Sequence, residues 1–384
     1  MVSLVIPTFN ESPSIEPILR RSAAALENTG ESYELIVVDD SSPDGTAEIV
    51  QTLSSELPVR LLRREGRLGL ASAVVDGWKI AHGNLLGVMD ADLQHPPEVL
   101  SRLVTTLRVS GADIAVASRT GDGGGCQEWS RVRRFTSWCA THLASCVLPL
   151  TLADVHDPMS GMFMLKSEIL DGITLEPMGY KILLEVLGKA QYERICEVPY
   201  VFGPRDAGTS KLGPRQTVEY FAHLAQLALA TGQFGTWLSY AAVGFSGASL
   251  HLALLLFFVA SHSWSLVLAL PMAIQAALLN NFICNRFFTF RRLPGSRAVR
   301  GDHLMAGLAR YQSVCVPGAL LNSLLTLILV RFGFPLLSAA CAGVLLGGFW
   351  NLFFNVPAIW RSSISRSVGA RFASVAKIRR ANLS

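Results

Sequence analysis

From Trp237 onward the chain carries a single acidic residue, Asp302, and four long apolar runs. No other feature narrows the possible folds as far. Trp237 to Ala260 holds no formal charge, and as a helix it is about 36 Å long, enough to cross a bilayer core of roughly 30 Å. Ser265 to Ile283 is a second run, Val314 to Val330 a third that extends at its start, and Phe332 to Ile359 holds a fourth. One such run suits a buried core helix. Four in succession predict a four-span membrane domain.

Charge follows the same division. The net +4 conceals 13 Lys and Arg against one acid in residues 237–384, and 20 against 28 in residues 1–236. Arg286, Arg291, Arg292, Arg297, Arg300 and Arg310 lie between spans two and three, and Arg361, Arg366, Arg371, Lys377, Arg379 and Arg380 in the tail. The opposite loops, near His262 and Phe332, offer only Arg331. The positive-inside rule then puts both the N-terminal domain and the C-terminal tail in the cytoplasm. No basic leader precedes an apolar segment at Met1, so no signal peptide is expected. Seven cysteines without a Cys-X-X-Cys pair argue against structural zinc or a redox motif. The basic excess accompanies apolar spans, and the expected partner is the lipid bilayer, not nucleic acid.

The N-terminal half reads differently. Val2–Ile6, Leu35–Val38, Leu85–Met89 and Ile114–Ala117 are short apolar runs without strict alternation, as in buried parallel strands. Between them Ile15, Ile18, Leu19 and Leu26, then Val50 and Leu53, then Val74, Val75 and Trp78 recur at helical spacing. This βαβα order predicts a doubly wound sheet. A polar cluster follows each strand: Pro7 to Glu11, Asp39 to Ser42, Asp90 to Asp92, and Ser118-Arg119. Ligands of such sheets bind beyond the carboxyl ends of the strands, so the clusters predict one crevice. No Walker A motif or Gly-X-Gly-X-X-Gly fingerprint follows the first strand, which disfavours P-loop and nicotinamide enzymes. Arg63 to Leu70 is a basic turn with two glycines, placed to face a diphosphate.

Within the third cluster, Asp90 and Asp92 stand one residue apart, on the same side if the strand continues. Two carboxylates that close repel each other unless a cation joins them. Mg²⁺ or Mn²⁺ fits, because hard cations take carboxylate and amide oxygens and leave positions for phosphates.

Several motifs in order resemble the family 2 glycosyltransferases with the GT-A fold, and within them the dolichol- or polyprenyl-phosphate mannose synthases. They are Ile6 to Glu11, Val37 to Thr46, Met89 to Pro97, Ala117-Ser118-Arg119, Asp157 to Gly161, Gly179 to Glu185 and Gly208 to Leu212. Asn280 to Phe290 resembles the small four-span GtrA-like domains. The implied organisation is an α/β GT-A domain over residues 1–212, an interfacial helix over 213–236, and an all-α four-helix membrane domain with a basic tail over 237–384.

The resemblance implies an inverting transfer of mannose from GDP-mannose to a polyprenyl or dolichyl monophosphate. Asp92 and Gln94, with Asp90, carry over as metal ligands, and Pro7, Phe9, Glu11, Val38, Asp40 and Ala91 as the nucleotide-sugar pocket. Arg119 and Arg133 carry over to the acceptor phosphate, and Arg205 and Lys211 to donor or acceptor phosphates. Asp90, Asp92, Arg119, Arg205 and Lys211 form the catalytic set. A lipid monophosphate is already ionised at neutral pH, so no strong base is needed, and His95 and His156 are assigned to structural hydrogen bonds. Two departures bear on the sugar: Phe9 stands where the family often has Tyr, and Ser41 where the mannose enzymes often have Asp. The alternatives are a UDP-glucose-dependent polyprenyl-phosphate glucosyltransferase and, from another class, a non-catalytic lipid transporter or scaffold.

Two further segments, Trp129 to Val147 and Val218 to Leu227, place apolar residues at helical spacing among polar ones, as in helices lying at a membrane surface.

Overall fold

The computed structural model describes residues 1–120, 123–127, 129–176, 178–204, 213–289 and 304–355. These form two units, one of residues 1–141 with 154–231, the other of residues 142–153 with the chain from 232 onward.

The first unit is built on a seven-stranded sheet in the order β3-β2-β1-β4-β7-β5-β8. Its strands are β1 (Val2–Thr8), β2 (Tyr33–Asp39), β3 (Val59–Arg63), β4 (Leu85–Val88), β5 (Ile114–Ser118), β7 (Phe163–Lys166) and β8 (Ile195–Pro199). β1 pairs in parallel with β2 and β4, and β2 with β3, as the βαβα pattern requires. Every residue of β1 is buried, which is why its sequence lacks alternation. β7 runs antiparallel between β4 and β5. The strand spacing did not disclose it, nor β3 and β8. A small parallel pair, β6 (Gly125–Cys126) with β9 (Val201–Phe202), ties the segment after β5 to the one after β8.

Helices α1 (Ser12–Glu27), α2 (Thr46–Leu53), α3 (Leu70–Lys79) and α4 (Val99–Ser110) follow the first, second, third and fourth strands. Ile15, Ile18, Leu19 and Leu26 of α1 are fully buried, confirming the helical spacing read from the sequence. After β5 come α5 (Arg131–Val147), α6 (Ile182–Lys189) and α7 (Pro214–Ala230). On α5, Val132, Phe135 and Trp138 are exposed, and on α7 so are Val218, Phe221 and Leu229. Along α7, Leu224 and Leu227 turn inward.

The second unit holds four helices long and apolar enough to cross a membrane: Phe234–Ser261, Leu266–Thr289, Leu304–Arg331 and Leu336–Asn355. Their α-helical parts are α8 (Phe234–Leu256), α9 (Leu266–Cys284), α10 (Leu304–Arg331) and α11 (Leu336–Asn355). The first two continue into π-helical turns, Phe257–Ser261 and Asn285–Thr289. The four spans occur where the apolar runs predicted them, with a correction. Arg286 and Arg310 lie inside the second and third helices, not in the loop between them. All seven cysteines are free thiols.

Candidate functional site

The carboxyl ends of β1, β2, β4 and β5 lie along one edge of the sheet, but several of the charges there hold the protein together. Asp39, at the end of β2, is fully buried and accepts hydrogen bonds from Thr8 Oγ1 at 3.0 Å and Ser42 N at 2.9 Å. Asp40 is also buried. Its Oδ1 accepts from Arg64 Nε at 2.7 Å and from a second guanidinium nitrogen, and its Oδ2 from Leu68 N at 3.0 Å and Gly69 N at 2.9 Å. Arg64 further donates to Ser72 Oγ and Asp76, and its side chain is only 5% exposed. The turn from Arg63 to Leu70, expected to face a diphosphate, thus sends its Arg64 inward onto Asp40. Ser41, where the mannose enzymes often have Asp, organises the same turn. Its Oγ donates to Arg64 O at 2.6 Å and accepts from Gly66 N at 3.1 Å.

Of the other nucleotide-pocket residues, Pro7 and Val38 are buried in their strands. Phe9 is half-buried, with the Arg67 guanidinium 4.6 Å from its ring centre. Glu11 opens α1, its carboxylate accepting from Ser14 Oγ at 3.1 Å.

β4 stops at Val88, so Asp90 and Asp92 sit on a bend beyond it and strand alternation does not govern them. Leu93 between Asp92 and Gln94 has φ 59°, a conformation bulky side chains rarely adopt and one that re-aims its neighbours. The Asp92 carboxylate accepts from Gln94 N at 3.2 Å. Gln94 is 2% exposed, and its Nε2 donates to Gly203 O at 3.2 Å, leaving Oε1 as the amide atom for a cation. Asp90 is partly exposed. A Cβ on Gly161 would fall 2.2 Å from Asp90 Oδ2, so only glycine there lets the carboxylate pack so closely. Ala91 beside it is small and buried.

Asp90 faces a cationic wall. His95 Nε2 lies 3.5 Å from Asp90 Oδ2, while His95 Nδ1 and the Tyr200 hydroxyl share a 2.8 Å hydrogen bond. Burial would raise the Asp90 pKa, but the His95 hydrogen bond and the charges of Lys181 and Arg119 hold it below the usual carboxylate range. Lys181 donates to Met159 O at 2.8 Å, and burial together with Arg119 lowers its pKa to about 8. Arg119 is clamped by Asp157: Nε to Oδ2 at 2.8 Å, a second guanidinium nitrogen to Oδ1 at 2.6 Å, and its backbone N to Oδ2 at 2.9 Å. Burial works against both charges, yet each holds the other ionised, with Arg119 raised and Asp157 lowered. Glu197 Oε1 in turn accepts from the Asp157 backbone N.

Arg119 and Arg133 do come together. Their guanidinium carbons lie 5.5 and 4.4 Å from the centre of one indole, Trp129. The buried Nε1 of that indole has no hydrogen-bond partner among the described residues. Arg205 and Lys211 lie outside the described residues. His95 and His156 are engaged as expected, the latter with Glu197 at 2.7 Å. The sequence motifs contain Asp157 and Lys181 but point to no role for either; Asp157 lies 38 positions from Arg119, and no local pattern links the two.

Among the described residues no three His, Cys, Asp or Glu side chains are grouped to hold a metal. The oxygen donors here are two carboxylates and an amide, Asp90, Asp92 and Gln94, a chemistry that fits a hard divalent ion completed by substrate phosphates.

Residues 3–171 match the family described as Glycosyl transferase family 2, and residues 239–360 the GtrA/DPMS transmembrane domain. A dolichol-phosphate mannosyltransferase of Pyrococcus furiosus is 37% identical over 359 residues, 94% of this chain and 99% of that one. The chain belongs to the dolichol-phosphate mannosyltransferase group of the family 2 glycosyl transferases. A Saccharomyces cerevisiae protein of the same name is 36% identical over 236 residues, 59% of this chain and 86% of its own. A mannosyltransferase structure from Pyrobaculum calidifontis, with GDP-Man and Mn²⁺, covers 91% of this chain and 86% of that one at 18% identity and a TM-score of 0.39. The transferase is accordingly an enzyme and an integral membrane protein. The non-catalytic alternative is set aside, and the GT-A-like α/β domain followed by four apolar helices is the observed order.

Proposed function

We propose that the transferase moves mannose from GDP-mannose to a polyprenyl monophosphate, with inversion at the sugar carbon and with Mg²⁺ or Mn²⁺ as cofactor. The observation that carries this reading is the likeness to the Pyrococcus furiosus relative, which extends through both halves of the chain.

Asp90, Asp92 and Gln94 would hold the ion, which when bound neutralises charge on the departing nucleoside diphosphate. Pro7, Phe9, Glu11, Val38 and Asp40 form the nucleoside pocket, Asp40 through the turn it braces, and Ala91 leaves room for the donor. Arg205 and Lys211 contact the diphosphate. Arg119, locked in one orientation by Asp157, and Arg133 receive the acceptor phosphate across Trp129, whose indole N–H is a further donor. Such planar guanidinium groups bind phosphate oxygens in pairs. The acceptor oxygen is already ionised, so the cationic wall does the positioning and His95 need not take a proton. The basic residues flanking the spans support a cytoplasmic catalytic domain and tail under the positive-inside rule.

Purified enzyme in liposomes, given GDP-mannose or UDP-glucose with a polyprenyl phosphate, tests the donor. Turnover with GDP-mannose is expected, and turnover with UDP-glucose alone overturns the assignment. Chelation should stop transfer, and added Mg²⁺ or Mn²⁺ should restore it. Asp92→Ala should lose roughly a thousandfold of metal-dependent rate, about 4 kcal/mol of barrier; an unchanged rate removes it from the metal set. The anomeric configuration of the product, read by NMR, decides inversion against retention.

A further inference from the structure

The loop that carries Asp92 and Gln94 turns at Leu93, whose φ of 59° is a conformation that persists only where the surroundings fix it. Residues 200–203 supply that fixing. Gly203 N donates to Gln94 O at 2.9 Å, and Gln94 Nε2 returns a bond to Gly203 O at 3.2 Å. Earlier in the same segment Tyr200 is 3% exposed, its backbone N bonded to Ser118 O at 2.9 Å and its O to Gly125 N at 3.1 Å. The Tyr200 ring stacks on that of His95, with centres 5.4 Å apart, and Phe202 meets the imidazole edge-on at 5.0 Å. His95 is 2% exposed and lies 105 positions from Tyr200 in the chain.

Packing explains the rings but not their polar atoms. Two apolar rings would fill the same space without the cost of burying a hydroxyl and an imidazole. The hydroxyl meets His95 Nδ1 at 2.8 Å, and the other ring nitrogen, Nε2, faces Asp90 Oδ2 at 3.5 Å. A carboxylate only accepts, so Nε2 carries the proton for that contact. In the neutral ring Nδ1 is then an acceptor, and the Tyr200 hydroxyl is its donor. The contact to Asp90 is long, as hydrogen bonds at catalytic groups often are before substrate binds. Tyr200, His95 and Asp90 form one line from the interior to a carboxylate that is 31% exposed.

We propose that Tyr200 and His95 are positioning residues of the donor site: the phenol fixes the imidazole tautomer, and Nε2–H aims the Asp90 carboxylate. Neither residue touches substrate or gives up a proton in the reaction. The proposal rests on the reading of Asp90, Asp92 and Gln94 as the metal set, and adds that residues 200–203 hold that set in register through His95 and Gln94.

The test reads nucleotide binding and not turnover. Full-length protein in nanodiscs of neutral lipid is titrated calorimetrically with GDP, or with UDP should the donor assay select it, with and without Mn²⁺. In wild type Mn²⁺ should tighten the nucleotide, and Asp92→Ala should erase that gain; if either fails, the metal reading falls and this proposal with it. His95→Asn keeps an acceptor where Nδ1 stood but offers Asp90 no donor, and should lose about tenfold of the gain, as removal of a metal ligand's hydrogen-bond partner does. His95→Gln keeps a donor where Nε2 stood and should retain the gain within about threefold, while Tyr200→Phe should lose about three- to tenfold. Affinity without Mn²⁺ should match wild type in all three variants; a change there marks a general loosening of the fold and overturns the proposal. So does a full gain in Tyr200→Phe, or a His95→Gln no better than His95→Asn, and in those two cases the loss in Asp92→Ala leaves the metal reading standing.

Discussion

Asp40 and Arg64 in the catalytic domain, like His251 and Asn351 in the membrane helices, bury polar atoms, but the two regions treat them differently. In the catalytic domain the buried charges are matched: Asp40 with Arg64 and two backbone amides, Asp157 with Arg119, Glu34 with Arg60, Ser3 and His82. Between the membrane helices a cavity of about 120 Å³ is lined by uncharged polar side chains, and His251 Nε2 and Asn351 Oδ1 lack partners among the described residues. Paired charges recover by mutual attraction and hydrogen bonds what desolvation costs, whereas breaking one pair strands its partner. Neutral amides cost less to bury than charges. The catalytic domain spends its buried charges on rigidity, while both regions leave some neutral polar atoms without a partner among the described residues.

The largest effect that would break this contrast is on stability. Arg64→Met leaves the Asp40 carboxylate buried without its counter-ion and should cost about 3 to 5 kcal/mol of catalytic-domain stability, measured by urea denaturation. A change below 1 kcal/mol would mean that the pair is not structural.

Glu34 supplies the pH dependence. Burial would raise its pKa, but hydrogen bonds from Ser3, the His82 backbone and Arg60 hold it at about 2, below its ordinary 4.5. The folded value is depressed, so its stabilisation is present above the unfolded pKa and is lost as pH falls from about 4.5 towards 2. That loss amounts to about 3 kcal/mol. Glu34→Gln should flatten this limb of the stability curve, as thermal melts between pH 5 and 2 would show.

A smaller and more selective effect is expected at Gly161. Alanine there pushes against Asp90, and displacing a reacting group by an ångström costs about a hundredfold in rate. Gly161→Ala should therefore lower transfer about a hundredfold with a modest change in melting temperature. The smallest effect has the opposite sign. Asn351→Leu removes a buried acceptor without a partner and should leave stability unchanged or raise it by about 1 kcal/mol. A loss as large as that of Arg64→Met would place Asn351 in the same matched class and end the comparison.

The residues of the candidate site could be picked out because they follow strands at short range. Asp90, Asp92 and Gln94 stand within five positions, and Pro7, Val38, Asp40 and Arg119 each lie in or just beyond a buried strand. Other features were out of reach of such patterns. The basic turn from Arg63 to Leu70 looked placed for a diphosphate, but the direction of its Arg64 is set by Asp40, 24 positions earlier. The role of Asp157 became visible only when the chain brought it to Arg119, and that of Lys181 only beside Asp90 and Arg119.

By itself the sequence determined the division into a parallel α/β domain and four spans, since each element is written in its own periodicity and each span in its length and lack of charge. It also determined the family, through motifs whose order no packing could alter. Tertiary structure alone decided that β7 enters antiparallel between β4 and β5, that Arg64 braces Asp40, and that amides from three membrane helices line one cavity. Those outcomes depend on contacts between residues far apart in the chain. A periodic pattern states which face of an element is buried, and only the folded chain states what it is buried against.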